Sequence, residues 1–307
     1  MTQIQARQPA YIALAESGEL ARRAKLAVGE LASCRLCPHE CDTNRTAGQV
    51  GRCGTGRRAQ VASYGPHYGE ESVLVGRHGS GTVFFSHCNL RCVFCQNHDI
   101  SHGGDGQVVS AEELALVFLH LQRMGCHNLN LVSPTHVLAP VLEALTIAVS
   151  RGLHLPIVWN SGGYESGHPL ELLDGVVDVY MPDAKYRDPE VAERLSGARD
   201  YPDVNRAALV EMHRQVGVLR VDSSGVAVRG VLLRHLVLPN GLAGSAELAR
   251  LVSGELSPHT FVNVMAQYRP CYMARSYPEI ARRLTTAEFV AARDEFRALG
   301  LYRLDGE

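Results

Sequence analysis

The chain has 307 residues, 46% hydrophobic and 20% charged, which is enough apolar material for a sizeable core and too much for a disordered chain. Lys plus Arg total 30 and Asp plus Glu 32, a formal charge of −2, which excludes bulk binding to nucleic acid through excess positive charge. No apolar run approaches about 18 residues, and the N-terminus has no basic stretch leading into an apolar one, so no membrane association and no signal peptide are expected and the expected location is the cytoplasm.

In chain order, residues 10–32 are rich in Ala, Leu, Glu, Arg and Lys and predict a helix. Residues 33–56 are loop-like and hold four cysteines. Residues 57–78 alternate enough to predict a short hairpin. From residue 80 a strand–helix alternation begins. TVFFS (82–86) is a buried strand, and Ser110 with Glu113 forms a capping box for a helix that ends at Gly125. NLNLVS (128–133) is the next strand, followed by a helix over 138–150 and a strand over 155–160. Residues 176–182 make a fourth strand, and a helix near 203–216 leads to a fifth over 230–239. A helix near 245–254, a sixth strand over 259–267, and a last helix capped by Thr285 and Glu288 complete the pattern. Apolar strands alternating with helices mean an α/β fold with a parallel sheet and right-handed crossovers. Six units are too few for a closed eight-stranded barrel. The chain divides into 1–78 (helix, cysteine-rich loop, hairpin) and 79–307 (the alternating region).

Seven of the nine cysteines fall into two groups. Cys88, Cys92 and Cys95 lie in one loop at the end of the first parallel strand, where α/β proteins place active sites. Three thiolates hold three irons of a 4Fe–4S cube and leave the fourth open for chemistry. The alternative is a zinc site completed by His87 or His98. Cys34, Cys37, Cys41 and Cys53 form a four-thiol set that suits a second Fe–S cluster or a zinc ion, and spacing does not separate the two. Cys126 reads as a packing thiol, whereas Cys271, just past the sixth strand, is a candidate to face the pocket. The other strand ends are also polar: Ser133 and Thr135, Asn160 and Ser161, Asp183 and Lys185, and Arg234 with His235. Polar groups converging at one end of a parallel sheet make a binding site.

Cys88-x-x-x-Cys92-x-x-Cys95, with Phe94 directly before the last cysteine, resembles the signature of the radical S-adenosylmethionine (SAM) superfamily. The longer string CNLRCVFCQN is similar to the pyruvate formate-lyase activating branch, and the resemblance extends over roughly residues 80–270. It implies a partial (βα)6, TIM-like barrel with the cysteine-rich segment as an N-terminal extension. It implies a 4Fe–4S cluster on Cys88, Cys92 and Cys95, with SAM chelated to the open iron and reductively cleaved to a 5′-deoxyadenosyl radical. It places ribose contacts at Asn160 and Ser161 and makes Asp183, Lys185 and Arg234 pocket residues. The Gly-Gly-Glu stretch that usually binds the SAM amino group is replaced by Ser133-Pro134-Thr135, so their hydroxyls or carbonyls become the candidates. Cys271 and His235 are the candidate catalytic side chains. A low-potential donor, flavodoxin or ferredoxin, is implied as partner. The substrate is then a glycyl-radical protein, a small molecule or a peptide; the contrasting reading is a non-catalytic zinc-binding protein.

Overall fold

The computed structural model describes residues 8–306. The first helical stretch is two helices, α1 (Tyr11–Glu16) and α2 (Glu19–Gly29), rather than one. Gly18, at φ 78°, turns the chain between them. Tyr11 is fully buried and donates its hydroxyl to the Leu155 carbonyl at 2.9 Å, which ties the extension to the segment just before the strand that starts at Ile157.

The strands are β1 (Ala59–His67), β2 (Ser80–Phe85), β3 (Gln107–Val109), β4 (Leu129–Val132), β5 (Ile157–Ser161), β6 (Val179–Pro182), β7 (Arg220–Val221), β8 (Ala227–Leu236) and β9 (Phe261–Met265). Strands β2, β4, β5, β6, β8 and β9 are parallel neighbours in that order. These are the six expected strands, and they form the partial barrel. β1 is antiparallel to β2 and β3, and β7 is antiparallel to β8. The expected hairpin over 57–78 does not form. β1 pairs along the sheet with β2, and α3 (Ser72–Val75) follows it, because Glu70 and Glu71 are drawn toward side chains of β8 and β9 instead of continuing a strand.

The remaining helices are α4 (His98–Ser101), α5 (Ala111–Arg123), α6 (Leu138–Ser150), α7 (Gly167–Leu173), α8 (Pro189–Ser196), α9 (Tyr201–Val216), α10 (Ser245–Leu251) and α11 (Thr286–Ala298). Both capping boxes form, Ser110 with Glu113 and Thr285 with Glu288. Side chains alternate across each strand. Val83, Phe85, Leu129, Leu131, Ile157, Trp159 and Tyr180 face outward and pack with helix residues such as Phe118, Leu142 and Leu145. The in-register partners Thr82, Asn130, Val158 and Val179 face the lumen, with Val132, Asn160 and Met181 in the next layer up. Leu74 of α3 packs with Val158, Val179, Met181 and Leu232 and closes the lower lumen. The polar layer above is therefore the floor of a site open toward the strand C-termini.

Candidate functional site

The loop after β2 holds the three cysteines of the second group. It is pinned by three backbone bonds to two distant segments: Arg91 N–H to the Ser196 carbonyl (3.2 Å), Val93 N–H to Leu195 (2.9 Å) and Met273 N–H to Val93 (2.9 Å). Leu90 lies against Gly162, where an added Cβ would come within 2.9 Å of its Cδ1. His87, directly before Cys88, has φ 69°, and Ser133 at the end of β4 has φ 54°. Non-glycine residues in this region carry about 1–3 kcal/mol of strain each and concentrate at functional sites.

Each sulfur has a polar neighbour. The Cys92 sulfur accepts from the Ser196 hydroxyl at 2.9 Å, Cys95 sits 3.1 Å from Ser101 Oγ, and Cys88 accepts from the Leu90 N–H at 3.4 Å. Burial pushes Cys88 up to about 12 and raises Cys92, while the nearby Lys185 ammonium counters both. Such thiols ionise when a cationic group is bound beside them. Among the described residues no three His, Cys, Asp or Glu side chains converge on one metal ion. Three thiols in one loop are the donor set of a 4Fe–4S cube with one thiolate on each of three irons, so the residues fit such a cluster.

Facing the loop is a charged network. Lys185 donates to Asp183 Oδ2 at 2.6 Å. Arg234 donates through Nε to Asp183 Oδ1 at 2.9 Å and through Nη2 to Asn160 Oδ1 at 2.7 Å, and Glu70 lies 3.8 Å away. Burial works against the Asp183 carboxylate, but Arg234 and Lys185 hold it below the usual range. Burial likewise opposes the Lys185 charge, and Asp183 with Cys92 keeps it protonated. Glu70 is pushed up to about 7 by burial, against the pull of Arg234. Glu71 accepts from Asn263 Nδ2 at 2.9 Å. Asn130, one layer down, is buried with both amide atoms unpartnered.

The structure thus brings together Cys88, Cys92, Cys95, Asp183, Lys185, Arg234 and Asn160. Ser161 is buried, and its hydroxyl accepts from the Gly163 N–H at 3.3 Å. Thr135 is buried and donates to Glu165 Oε1 at 2.8 Å, so Glu165 joins the ends of β4 and β5. Burial raises the Glu165 carboxyl. His235 is not in the lumen. Alternation turns Arg234 inward and His235 outward, where its ring bridges the Ala184 carbonyl and Ser245 Oγ, each at 2.8 Å. That is a satisfied packing histidine, and it corrects the expectation of a catalytic one. Cys126 is a buried packing thiol as expected. Cys271 is half-buried in the segment that returns to the cysteine loop; Tyr268 packs on Phe94 (5.9 Å between ring centres) and Tyr272 stacks on His98 and His102. Glu70, Glu71 and Ser196 carry no sequence motif, and only their partners Arg234, Asn263 and the Cys92 sulfur mark them.

The N-terminal cysteines line one cavity, with Arg45, Arg52, His39 and His136. Burial pushes Cys37 up to about 12, and the other three thiols reinforce this, which shows their proximity. Buried Arg45 directs Nη1 at the Cys34 sulfur (3.6 Å). Gly51 leaves room for Cys41, since a Cβ there would meet its sulfur at 2.4 Å. This cavity adjoins the Cys88–Cys95 loop: His39 Nε2 lies 2.7 Å from the Asn89 carbonyl, and Arg91 donates to the Arg52 carbonyl at 3.0 Å.

A family model described as the radical SAM superfamily matches residues 82–233. An uncharacterized protein of Methanocaldococcus jannaschii is 36% identical over 273 residues, covering 85% of this chain and 73% of that protein. The pyruvate formate-lyase-activating enzyme of Clostridium pasteurianum is 28% identical over 182 residues, 56% of this chain and 68% of the enzyme. A solved radical SAM methyltransferase from Sphaerobacter thermophilus superposes with a TM-score of 0.48 at 15% identity, covering 98% of this chain and 94% of the other. In the region shared with the family model lie the cysteine loop and every strand end from β2 to β6.

Proposed function

This chain belongs to the radical SAM superfamily, a superfamily of enzymes that implies a 4Fe–4S cluster and SAM, and we propose that it cleaves SAM reductively at a cluster held by Cys88, Cys92 and Cys95. The observation that carries this reading is the three-thiol loop at the C-terminal end of β2, facing the Asp183–Lys185–Arg234 network. When bound, the cluster and SAM supply a one-electron C–S cleavage whose 5′-deoxyadenosyl radical removes a hydrogen atom from substrate.

The chain's own residues do the rest. Lys185 places a positive charge beside Cys92 and offsets the thiolates. Asn160 meets the ribose, and Asp183, Lys185 and Arg234 line the same pocket; Ser161, adjacent to Asn160 on β5, turns to the opposite face, where it partners Glu165 and the Gly163 N–H, which corrects the expectation of a ribose contact from its side chain. The turn of Ser133 and Thr135 takes the amino group, with Glu165 holding that turn through Thr135. Phe94, Tyr186 and Tyr268 pack into one buried apolar cluster beside the loop and keep water from it. The partner is a low-potential donor, flavodoxin or ferredoxin, since this chemistry works at the low end of cluster potentials. The similarity to a pyruvate formate-lyase-activating enzyme supports a glycyl-radical protein as substrate. The polar lumen supports a second reading, a small molecule: Glu70, Arg234 and Asn263 face it, and Asn130 has both amide atoms unpartnered there. Cys34, Cys37, Cys41 and Cys53 form a second metal centre, as a further Fe–S cluster or a zinc ion.

The test is anaerobic reconstitution with iron and sulfide, then dithionite and SAM. Production of 5′-deoxyadenosine, lost in Cys92→Ala, is the expected result. A fully loaded cluster that never cleaves SAM would overturn the proposal.

A further inference from the structure

One wall of the N-terminal cysteine cavity does not come from the N-terminal extension. It is His136, from the turn after β4. His136 is only 2% exposed. Its Nε2 lies 2.8 Å from the Ser86 carbonyl oxygen. A carbonyl only accepts, so Nε2 carries the ring proton and donates it. Nδ1 is then a bare lone pair, and it has no partner although it is buried. A ligating histidine characteristically donates its other ring N–H to a backbone carbonyl, which fixes the tautomer and leaves the lone pair for the metal. The Ser86 carbonyl already holds His136 in this way.

The thiols around it are unequal. Cys34 and Cys37 are buried and Cys53 is half-buried, whereas Cys41 is exposed and its sulfur accepts the Thr43 hydroxyl at 3.1 Å. Arg45 adds a buried positive charge that favours thiolate on the inner side. Three thiolates and one imidazole are a shell that a divalent, borderline-soft ion such as Zn2+ accepts in tetrahedral geometry.

We propose that His136, through Nδ1, completes a zinc-type centre with Cys34, Cys37 and Cys53, leaving Cys41 outside the shell. This rests on the reading that the N-terminal cysteines bind metal. The four donors are not yet converged on a point among the described residues, so binding closes residues 34–53 around the ion. The centre then joins the extension to the barrel. It also braces the turn that carries Thr135 at its start.

The experiment uses the full chain with Cys88, Cys92 and Cys95 replaced by Ala, titrated anaerobically with Co2+. The parent is expected to bind one Co2+ with the d–d absorption of a tetrahedral sulfur–nitrogen site. His136→Ala in that background is expected to bind at least about tenfold more weakly. His136→Cys, which restores a donor, recovers affinity with a spectrum shifted toward pure thiolate, and this separates lost ligation from misfolding. Cys41→Ser keeps the parent's affinity and spectrum. If His136→Ala matches the parent, or Cys41→Ser abolishes binding, the assignment of His136 falls while the metal centre stands. If the folded parent binds no Co2+, the metal reading itself falls, and this inference with it.

Discussion

The two cysteine groups are held in different ways. Cys88, Cys92 and Cys95 hang from a strand inside the sheet, and their loop is clamped by backbone bonds to residues more than a hundred positions away, at Leu195, Ser196 and Met273. The N-terminal group has no strand of its own. Its backbone bonds are local, such as Cys34 N–H to Thr43, Asp42 N–H to Cys34 and Glu40 N–H to Cys37, and Glu40 and Asp42 both have positive φ. One loop is shaped by the barrel before any cofactor arrives. The other spends its backbone hydrogen bonds mostly on itself, so the proposed metal binding there is coupled to ordering. The first arrangement suits chemistry that needs fixed placement; the second suits a fastener.

The sharpest test of this contrast is a pair of substitutions. Cys92→Ala is expected to abolish 5′-deoxyadenosine formation while thermal unfolding barely changes. Cys34→Ser is expected to do the reverse, keeping cleavage within about tenfold of the parent while residues 34–56 become protease-sensitive and exchange their amide hydrogens faster. Equal loss of cleavage in both variants would erase the distinction between the regions.

Next in size is the buried network that faces the catalytic loop. Asp183→Ala leaves both Lys185 and Arg234 without their shared carboxylate. Removing one partner of a buried ion pair costs about 3–5 kcal/mol. The measurement is denaturant unfolding of the cluster-free protein. The whole loss belongs to the barrel, because the network touches the N-terminal group nowhere in its hydrogen bonds. An Asp183→Ala protein as stable as the parent would show that the network is solvated and does not preform the site.

Much of the catalytic side is legible in the sequence. The six parallel strands follow from apolar runs at regular spacing, and the Ser110–Glu113 and Thr285–Glu288 boxes mark helix starts through local chemistry alone. The cysteine loop carries its own spacing. What is not legible depends on contacts between distant residues. Glu70 and Glu71 look like ordinary solvated charges, yet the lumen takes them as partners for Arg234 and Asn263, and this breaks the expected hairpin. His136 carries no spacing signal, because the thiols that share its cavity come from a segment about a hundred residues earlier. His235 is a different case, because strand geometry alone decides it: Arg234 and His235 are adjacent on β8, so only one of them can face the lumen. The start of α8 is also written locally, since Asp188-Pro189-Glu190 is an N-terminal signature and Asp188 does accept from the Glu190 N–H at 2.7 Å.

The smallest effect concerns the seam between the two groups. His39 lies two residues past Cys37, and Asn89 directly follows Cys88, so the 2.7 Å contact from His39 Nε2 to the Asn89 carbonyl joins the two loops. The His39 ring also packs edge-on against Tyr164, 5.2 Å between centres, and Tyr164 in turn accepts from Asn89 Nδ2 through its carbonyl at 2.7 Å. His39→Phe keeps a ring of similar size on Tyr164 and removes only the donor. Asn89 is buried, so its carbonyl loses a partner that water does not readily replace, at a cost of about 1–3 kcal/mol. The expected outcome is a melting temperature a few degrees lower, with the catalytic cluster's spectrum unchanged because none of its ligands or their hydroxyl partners is touched. His39→Gln, which can still donate, is expected to recover most of the loss. If His39→Phe alters the cluster spectrum while the melting temperature holds, the seam tunes the catalytic loop directly, and the two regions are one electronic unit rather than a shaped loop and its fastener.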